Sequence, residues 1–222
     1  MSYPQDIVVA KDGSNIVLTF YAHASVGVFW KGLQVYVDPV GKSQGIDFSK
    51  EPKADLILVT HHHSDHLDME AIELLRGTNC VVCGSEQCCL DQVAFPGDHL
   101  TMRGFEVDVV PAYNITPEHL QFHPKSRLDC GYILNLDRTR IYFAGDTEDN
   151  VDVLSLQDIE VAFLPVNQPY TMTPCQCIRV VESIKPRIVY PYHTSSSMGK
   201  TDVSLWEGSQ LKSTDIRIRF NS

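Results

Sequence analysis

No run of apolar residues in this 222-residue sequence reaches the length that a helix needs to cross a membrane. Basic residues are also scarce: 18 Lys and Arg stand against 28 Asp and Glu, a formal charge of −10. That balance repels nucleic-acid phosphates and anionic membrane surfaces, so neither nucleic acid nor membrane is expected as a partner. An anionic small molecule stays open, because a bound metal ion reverses the field locally. The opening stretch, "MSYPQDIVVAKDG", lacks a basic segment followed by a long apolar core, which leads to the expectation of a cytoplasmic protein without a secretory leader.

Cys80 and Cys83 form a C-x-x-C, but no second pair follows at zinc-ribbon spacing, and "CVVCGS" alternates like a buried strand. The seven cysteines are an odd number in a chain long enough to bury a core without staples, so reduced, partly buried thiols are expected. A hydrophobic fraction of 43% beside 21% charged residues is ordinary for a globular protein, and residues 1–222 are expected to form one domain.

Short strands joined by turns fill the first third. "NIVLTF" follows Asp12-Gly13, "SVGVFW" precedes Lys31-Gly32, and "LQVYVD" comes next, a pattern of hairpins or a meander. "ADLILVT" is apolar without alternation, as in a strand covered on both faces. Asp68 then caps a helix lined by Ala71, Ile72, Leu74 and Leu75, with Gly77 at its end. "CVVCG", "FEVDVVPA", "CGYILNL", "RIYFAGD" and "VAFLPV" continue the strands. In "TPCQCIRVVESIKP", Thr173 and Gln176 are spaced as a capping box, Pro174 takes the first helical position and Pro186 stops the helix. The strand "RIVYPYH" follows. Mostly strands, with two helices placed between them, suit two packed sheets with helices outside.

Between the strand "ADLILVT" and the first helix stands "HHHSDH". On a loop leaving a strand, alternate side chains point the same way, so His61 and His63 can grip one cation while Asp65 and His66 turn toward a second. His62, alternating away, is not expected to bind. Imidazoles with a carboxylate form a ligand set for one or two divalent ions, zinc first, with manganese or iron as alternatives.

"THHHSDH" matches the H-x-H-x-D-H signature of the metallo-β-lactamase superfamily. Through "YAHASV", "VYVDP", "YFAGDT", "FLPVNQPYTM" and "YPYH" the chain resembles its small metal-dependent hydrolases, in particular L-ascorbate-6-phosphate lactonase-like proteins. The resemblance implies an α/β fold, a four-layer αββα sandwich of two mixed sheets with outer helices, and a dinuclear site at one edge of the sheets. It makes Asp146, in "AGDT", the carboxylate shared by two metals and His193, in "PYH", the last histidine ligand. Each follows an apolar strand, where it would emerge at the sheet edge. Asp38, in "VYVDP", matches an aspartate that supports the histidine loop without binding metal, and is equally read as a turn residue before Pro39. His23 is left as a ligand candidate or a satisfied strand-end histidine.

The pattern departs after "FEVDVVPA", where relatives carry a further histidine and this chain has Asn114. His123 or Asn114 is left to complete the first metal, with His119 nearby. The expected function is metal-dependent hydrolysis by metal-activated hydroxide, with Asp65 and Asp146 as the catalytic carboxylates. The substrate is expected to be a small anionic ester, lactone or phosphodiester, contacted by Lys125, Arg127 and Tyr170. Ser195, Ser196 and Ser197 have no G-x-S-x-G context and are read as loop residues near the substrate. A non-catalytic metal- or ligand-binding protein on the same scaffold is the alternative, and Asn114 is what keeps it open.

Overall fold

The computed structural model describes residues 3–196, 199–203, 206, 211 and 213–220. The first sheet contains β1 (Gln5–Val9), β2 (Asn15–Phe20), β3 (Val26–Trp30), β4 (Leu33–Val37), β5 (Ala54–Val59), β6 (Arg76–Ser85) and β7 (Gln92–Ala94) in spatial order. Its first four strands are an antiparallel meander, and the rest add in parallel. The second sheet repeats that plan. Strands β8 (His99–Met102), β9 (Phe105–Pro111), β10 (Cys130–Leu136) and β11 (Thr139–Phe143) run antiparallel. Parallel to β11 then follow β12 (Val161–Pro165), β13 (Ile188–Tyr192) and, at the edge, a short strand Asp215–Ile216.

The apolar run of β5 shows why the sheets stack with helices outside. Leu56 and Leu58 enter the core between the sheets, whereas Ile57 and Val59 point outward beneath α1 (Met69–Leu75). On the far side Ala162 and Leu164 of β12 pack with Val180, Val181 and Ile184 of α3 (Pro174–Ile184), beside the short α2 (Val151–Leu154). The layers are thus helix, sheet, sheet, helix. Both expected helix starts are present: Asp68 accepts from the amides of Glu70 and Ala71, and Thr173 and Gln176 form a reciprocal capping box.

Gly77 departs from expectation. It does not cap α1 but lies in β6, which begins at the residue after the helix, and a Cβ there would stand 2.6 Å from the carbonyl oxygen of Ala54. Close backbone approach, not a left-handed turn, explains that glycine. All seven cysteines are free, and burial pushes the thiols of Cys83 and Cys88 up to about 12 and about 11, leaving them protonated at neutral pH.

At the centre of the inter-sheet core, Phe163 stacks on Phe143 and Tyr190 with ring centroids 4.8 and 5.0 Å away. Removing it leaves a cavity that rigid strands on both sides cannot close. Phe163→Ala is expected to lower the unfolding free energy by about 3–5 kcal/mol. Chemical denaturation measures this, and a loss below about 1 kcal/mol would show that the layers are not coupled through this ring.

Candidate metal centre

Several chemistry-bearing residues follow strand ends at one rim of the sandwich: His23 after β2, Asp38 after β4, His61 after β5, Asp146 after β11 and His193 after β13. Such rims are where ligands bind in layered folds with parallel strands. Asp38 is fully buried and anchors the histidine loop. Its two oxygens accept the backbone N–H and hydroxyl of Thr60 at 2.7 and 2.8 Å, and Oδ2 lies 2.7 Å from Nδ1 of His66. A carboxylate at Nδ1 holds the imidazole proton there and leaves Nε2 free to meet a cation. Three of these residues have positive φ angles: 54° at His23, 44° at Asp38 and 48° at His193. Non-glycine residues enter that region at a cost, and the neighbouring contacts hold them in it. The backbone N–H of His193 donates to the carbonyl of His23, and the two rings lie 3.8 Å apart.

Two groups of four residues converge. One is His61, His63, His123 and Asp146; the other is His23, Asp65, His66 and His193. Within each, the available donor atoms lie within 4.8 Å of one another. Asp146 faces both. Its Oδ2 is 3.2 Å from Nε2 of His123 and 3.9 Å from Nε2 of His61, while Oδ1 is 3.3 Å from Nε2 of His66 and 3.4 Å from Nε2 of His193. Asp65 closes the second group, with Oδ2 3.2 Å from His23 and 3.4 Å from His193.

Buried polar atoms are normally paired. Here Nε2 of His61, His66 and His193 and Oδ1 of Asp146 are buried without a hydrogen bond. Those orphaned atoms are of the kinds that bind zinc, manganese or iron, so the residues fit the implied metal. Electrostatics agree. Burial lowers the pKa of His61, and burial with the Arg127 guanidinium takes His63 to about 4, leaving both neutral as ligands must be. At His66 burial pulls down, but Asp146 and Asp38 overcome it and raise the pKa. His123 is likewise raised, chiefly by Asp146 against its burial. Burial alone would raise Asp146, yet His193, His66 and His123 hold it well below the usual carboxylate range.

The loop after β9 carries the departure. His123 is buried and joins His61 and His63, whereas Asn114 is turned to the protein, its amide donating to the carbonyls of His119 and Tyr170. Of the two expected alternatives, His123 is therefore the one brought to the first group. His119 stands apart, 2.8 Å from buried Glu148, which also accepts the amides of Ile115 and Thr116 and so holds this loop in shape. His62 belongs to neither group.

Two expected substrate contacts, Lys125 and Arg127, do not line the cavity over the two groups. Lys125 reaches Asp152 at 3.3 Å and lies over the Tyr113 ring, away from the imidazoles. Arg127 is tied to Asp129 through Nε at 2.8 and 2.9 Å and lies against His63 and His123. In both cases a nearby carboxylate captures the cation. Tyr170, by contrast, lines the cavity above the two groups, as does Ser195; the side chain of Ser196 and all of Ser197 lie outside the described residues. Sequence reasoning leaves His23 undecided and misses two supporting residues. One is Asn167, whose amide is 2.9 Å from Nδ1 of His193; the other is Asp129, 3.5 Å from Nδ1 of His123. For Asp129 a local signal exists, since it stands two residues after Arg127 and so within reach of its guanidinium. For Asn167 none does.

A family model described as the beta-lactamase superfamily domain matches residues 17–193. A UPF0173 metal-dependent hydrolase of Thermococcus kodakarensis is 31% identical over 177 residues, 72% of this chain and 76% of the relative. The chain belongs to this superfamily and to its UPF0173 metal-dependent hydrolases. Another UPF0173 metal-dependent hydrolase, from Methanopyrus kandleri, is 28% identical over 193 residues, 79% of this chain and 83% of its own. Among solved structures, a candidate metal-dependent hydrolase from Parabacteroides distasonis is 37% identical, with 98% of each chain covered and a TM-score of 0.90. The metallo hydrolase Igni18 from Ignicoccus hospitalis is similar in fold, with a TM-score of 0.75, 22% identity, and 92% of this chain and 95% of its own covered. The protein is a metal-dependent hydrolase, and His123, not Asn114, stands with His61, His63 and Asp146 in the first group.

Because His66 and His123 hold protons above the ordinary imidazole value, metal uptake by this hydrolase must displace them. Zinc binding near neutral pH is expected to release protons, and affinity to fall as the solution is acidified. Calorimetry in buffers of different ionisation enthalpy measures the release; heats that do not vary with buffer would contradict it.

Proposed function

We propose that this enzyme hydrolyses an ester, lactone or phosphodiester bond of a small molecule, using two divalent cations, zinc first, held on either side of Asp146. The observation that carries the reading is the pair of Asp146 oxygens, each turned to a different set of imidazoles whose facing nitrogens are largely unpaired. His61, His63 and His123 would hold one ion, and His23, Asp65, His66 and His193 the other. When bound, such ions activate water near neutral pH and polarise the bond under attack.

The chain's own side chains orient that chemistry. Asp38 fixes His66, and Asp129 with Arg127 packs behind His123. Asp65 is partly open to the cavity. Burial would raise its pKa, but His193 and His23 draw it well below the usual range, so it stays ionised as a ligand and is a poor store for a proton. Lactones enter the proposal through the resemblance of "YAHASV", "VYVDP", "YFAGDT", "FLPVNQPYTM" and "YPYH" to lactonase-like proteins. Neither a serine nor a cysteine nucleophile is needed.

Chelation is expected to abolish turnover, and zinc, manganese or iron to restore it. Asp146→Ala should lower kcat/KM by about a thousandfold, the loss of several kcal/mol of charge stabilisation. A panel of esters, lactones and phosphodiesters supplies the assay. Turnover that survives both chelation and Asp146→Ala would overturn the proposal.

A further inference from the structure

The geometry points to a substrate that is uncharged outside the bond being cut and that carries a flat or apolar group against Phe122 and Tyr170. This rests on the hydrolytic reading above. The two metal-ligand groups open into a cavity of about 600 Å³, within the range of small-molecule sites. One wall is aromatic: the rings of Phe122 and Tyr170 meet edge to face with centroids 4.7 Å apart, and both remain partly open. Gln44, Ser64 and Ser195 contribute neutral polar groups elsewhere on the wall.

Among the described residues lining this cavity there is no lysine or arginine. Three basic residues of the neighbouring segments are held by carboxylates: Lys125 by Asp152, Arg127 by Asp129 and Lys42 by Glu70. The whole chain adds a charge of −10. Negative charge at the reacting bond would meet the cations, but a phosphate or carboxylate elsewhere on the substrate would lose water without gaining a counter-charge from the described residues that line the cavity. An aromatic or aliphatic ring, in contrast, gains contact with the two aromatic side chains. The anionic substrate expected from the resemblance, with Lys125 and Arg127 as its contacts, gives way in this proposal to one whose body is neutral.

Hydroxamates separate the two claims, because they bind metal ions whether or not the enzyme cleaves esters. Zinc-loaded protein is titrated with acetohydroxamate, benzohydroxamate and 4-sulfobenzohydroxamate. Benzohydroxamate should bind about three- to tenfold more tightly than acetohydroxamate, the range of an aromatic contact. The sulfonate should lose about tenfold or more relative to benzohydroxamate. Phe122→Ala and Tyr170→Ala should erase the aryl advantage, bringing benzohydroxamate down to the affinity of acetohydroxamate measured on the same variant, while Tyr170→Phe keeps it. Equal or tighter binding of the sulfonate, or an aryl advantage that survives in Phe122→Ala/Tyr170→Ala, would overturn the inference. If the hydroxamate order holds while no ester, lactone or phosphodiester is cleaved, the proposed bond class fails and the neutral, aryl-accepting cavity stands.

Discussion

A buried carboxylate with an imidazole set on each side is the constraint around which this molecule is arranged. One oxygen of Asp146 is left without a hydrogen bond: Oδ1 lies 3.3 and 3.4 Å from two imidazole nitrogens and bonds to neither. Burying such a charge costs several kcal/mol unless it is paired or coordinates a metal. His66, His123 and His193 lower its pKa, and it raises theirs where a shift is resolved, at His66 and His123. The site is therefore built to hold positive charge between its donors.

The sandwich supplies the rigidity that this requires. His61, Asp146 and His193 stand shortly past strands locked into the packed layers, so their backbone positions are set by the core and not by the loops. His23 and His193 adopt left-handed backbone conformations side by side and share a backbone hydrogen bond, which places both rings over the second group. Gly145, at φ 64°, lets the chain turn from β11 toward Asp146 where a Cβ would meet the carbonyl of Cys130 at 2.9 Å. Glu148, two residues after Asp146, gathers the amides of Ile115 and Thr116 and so shapes the loop that delivers His123.

Much of this is legible in the sequence where the signal is local. His61, His63, Asp65 and His66 occupy one turn after a strand, and their spacing alone suggests two cations. Both helix caps are readable for the same reason. Asp146 and His193 need the resemblance in addition, since a single aspartate or histidine after a strand carries little information. His23 lies 42 residues from Asp65, and only the fold joins them. His123 is one of two candidates in the sequence because the loop that carries it has no periodicity to fix its direction. Lys125 and Arg127 read as free cations, but Asp152 and Asp129 neutralise them, and the first of those partners is 27 residues away. Gly77 reads as a helix cap because the sequence does not show that a strand begins immediately after the helix.

In the proposed enzyme the two donor groups each hold a divalent ion with Asp146 between them. Anomalous X-ray scattering from crystals loaded with zinc tests it directly. Two anomalous peaks are expected, one among His61, His63 and His123 and one among His23, Asp65, His66 and His193, with a different Asp146 oxygen turned to each. Zinc bound elsewhere, with neither group showing a peak, would contradict it.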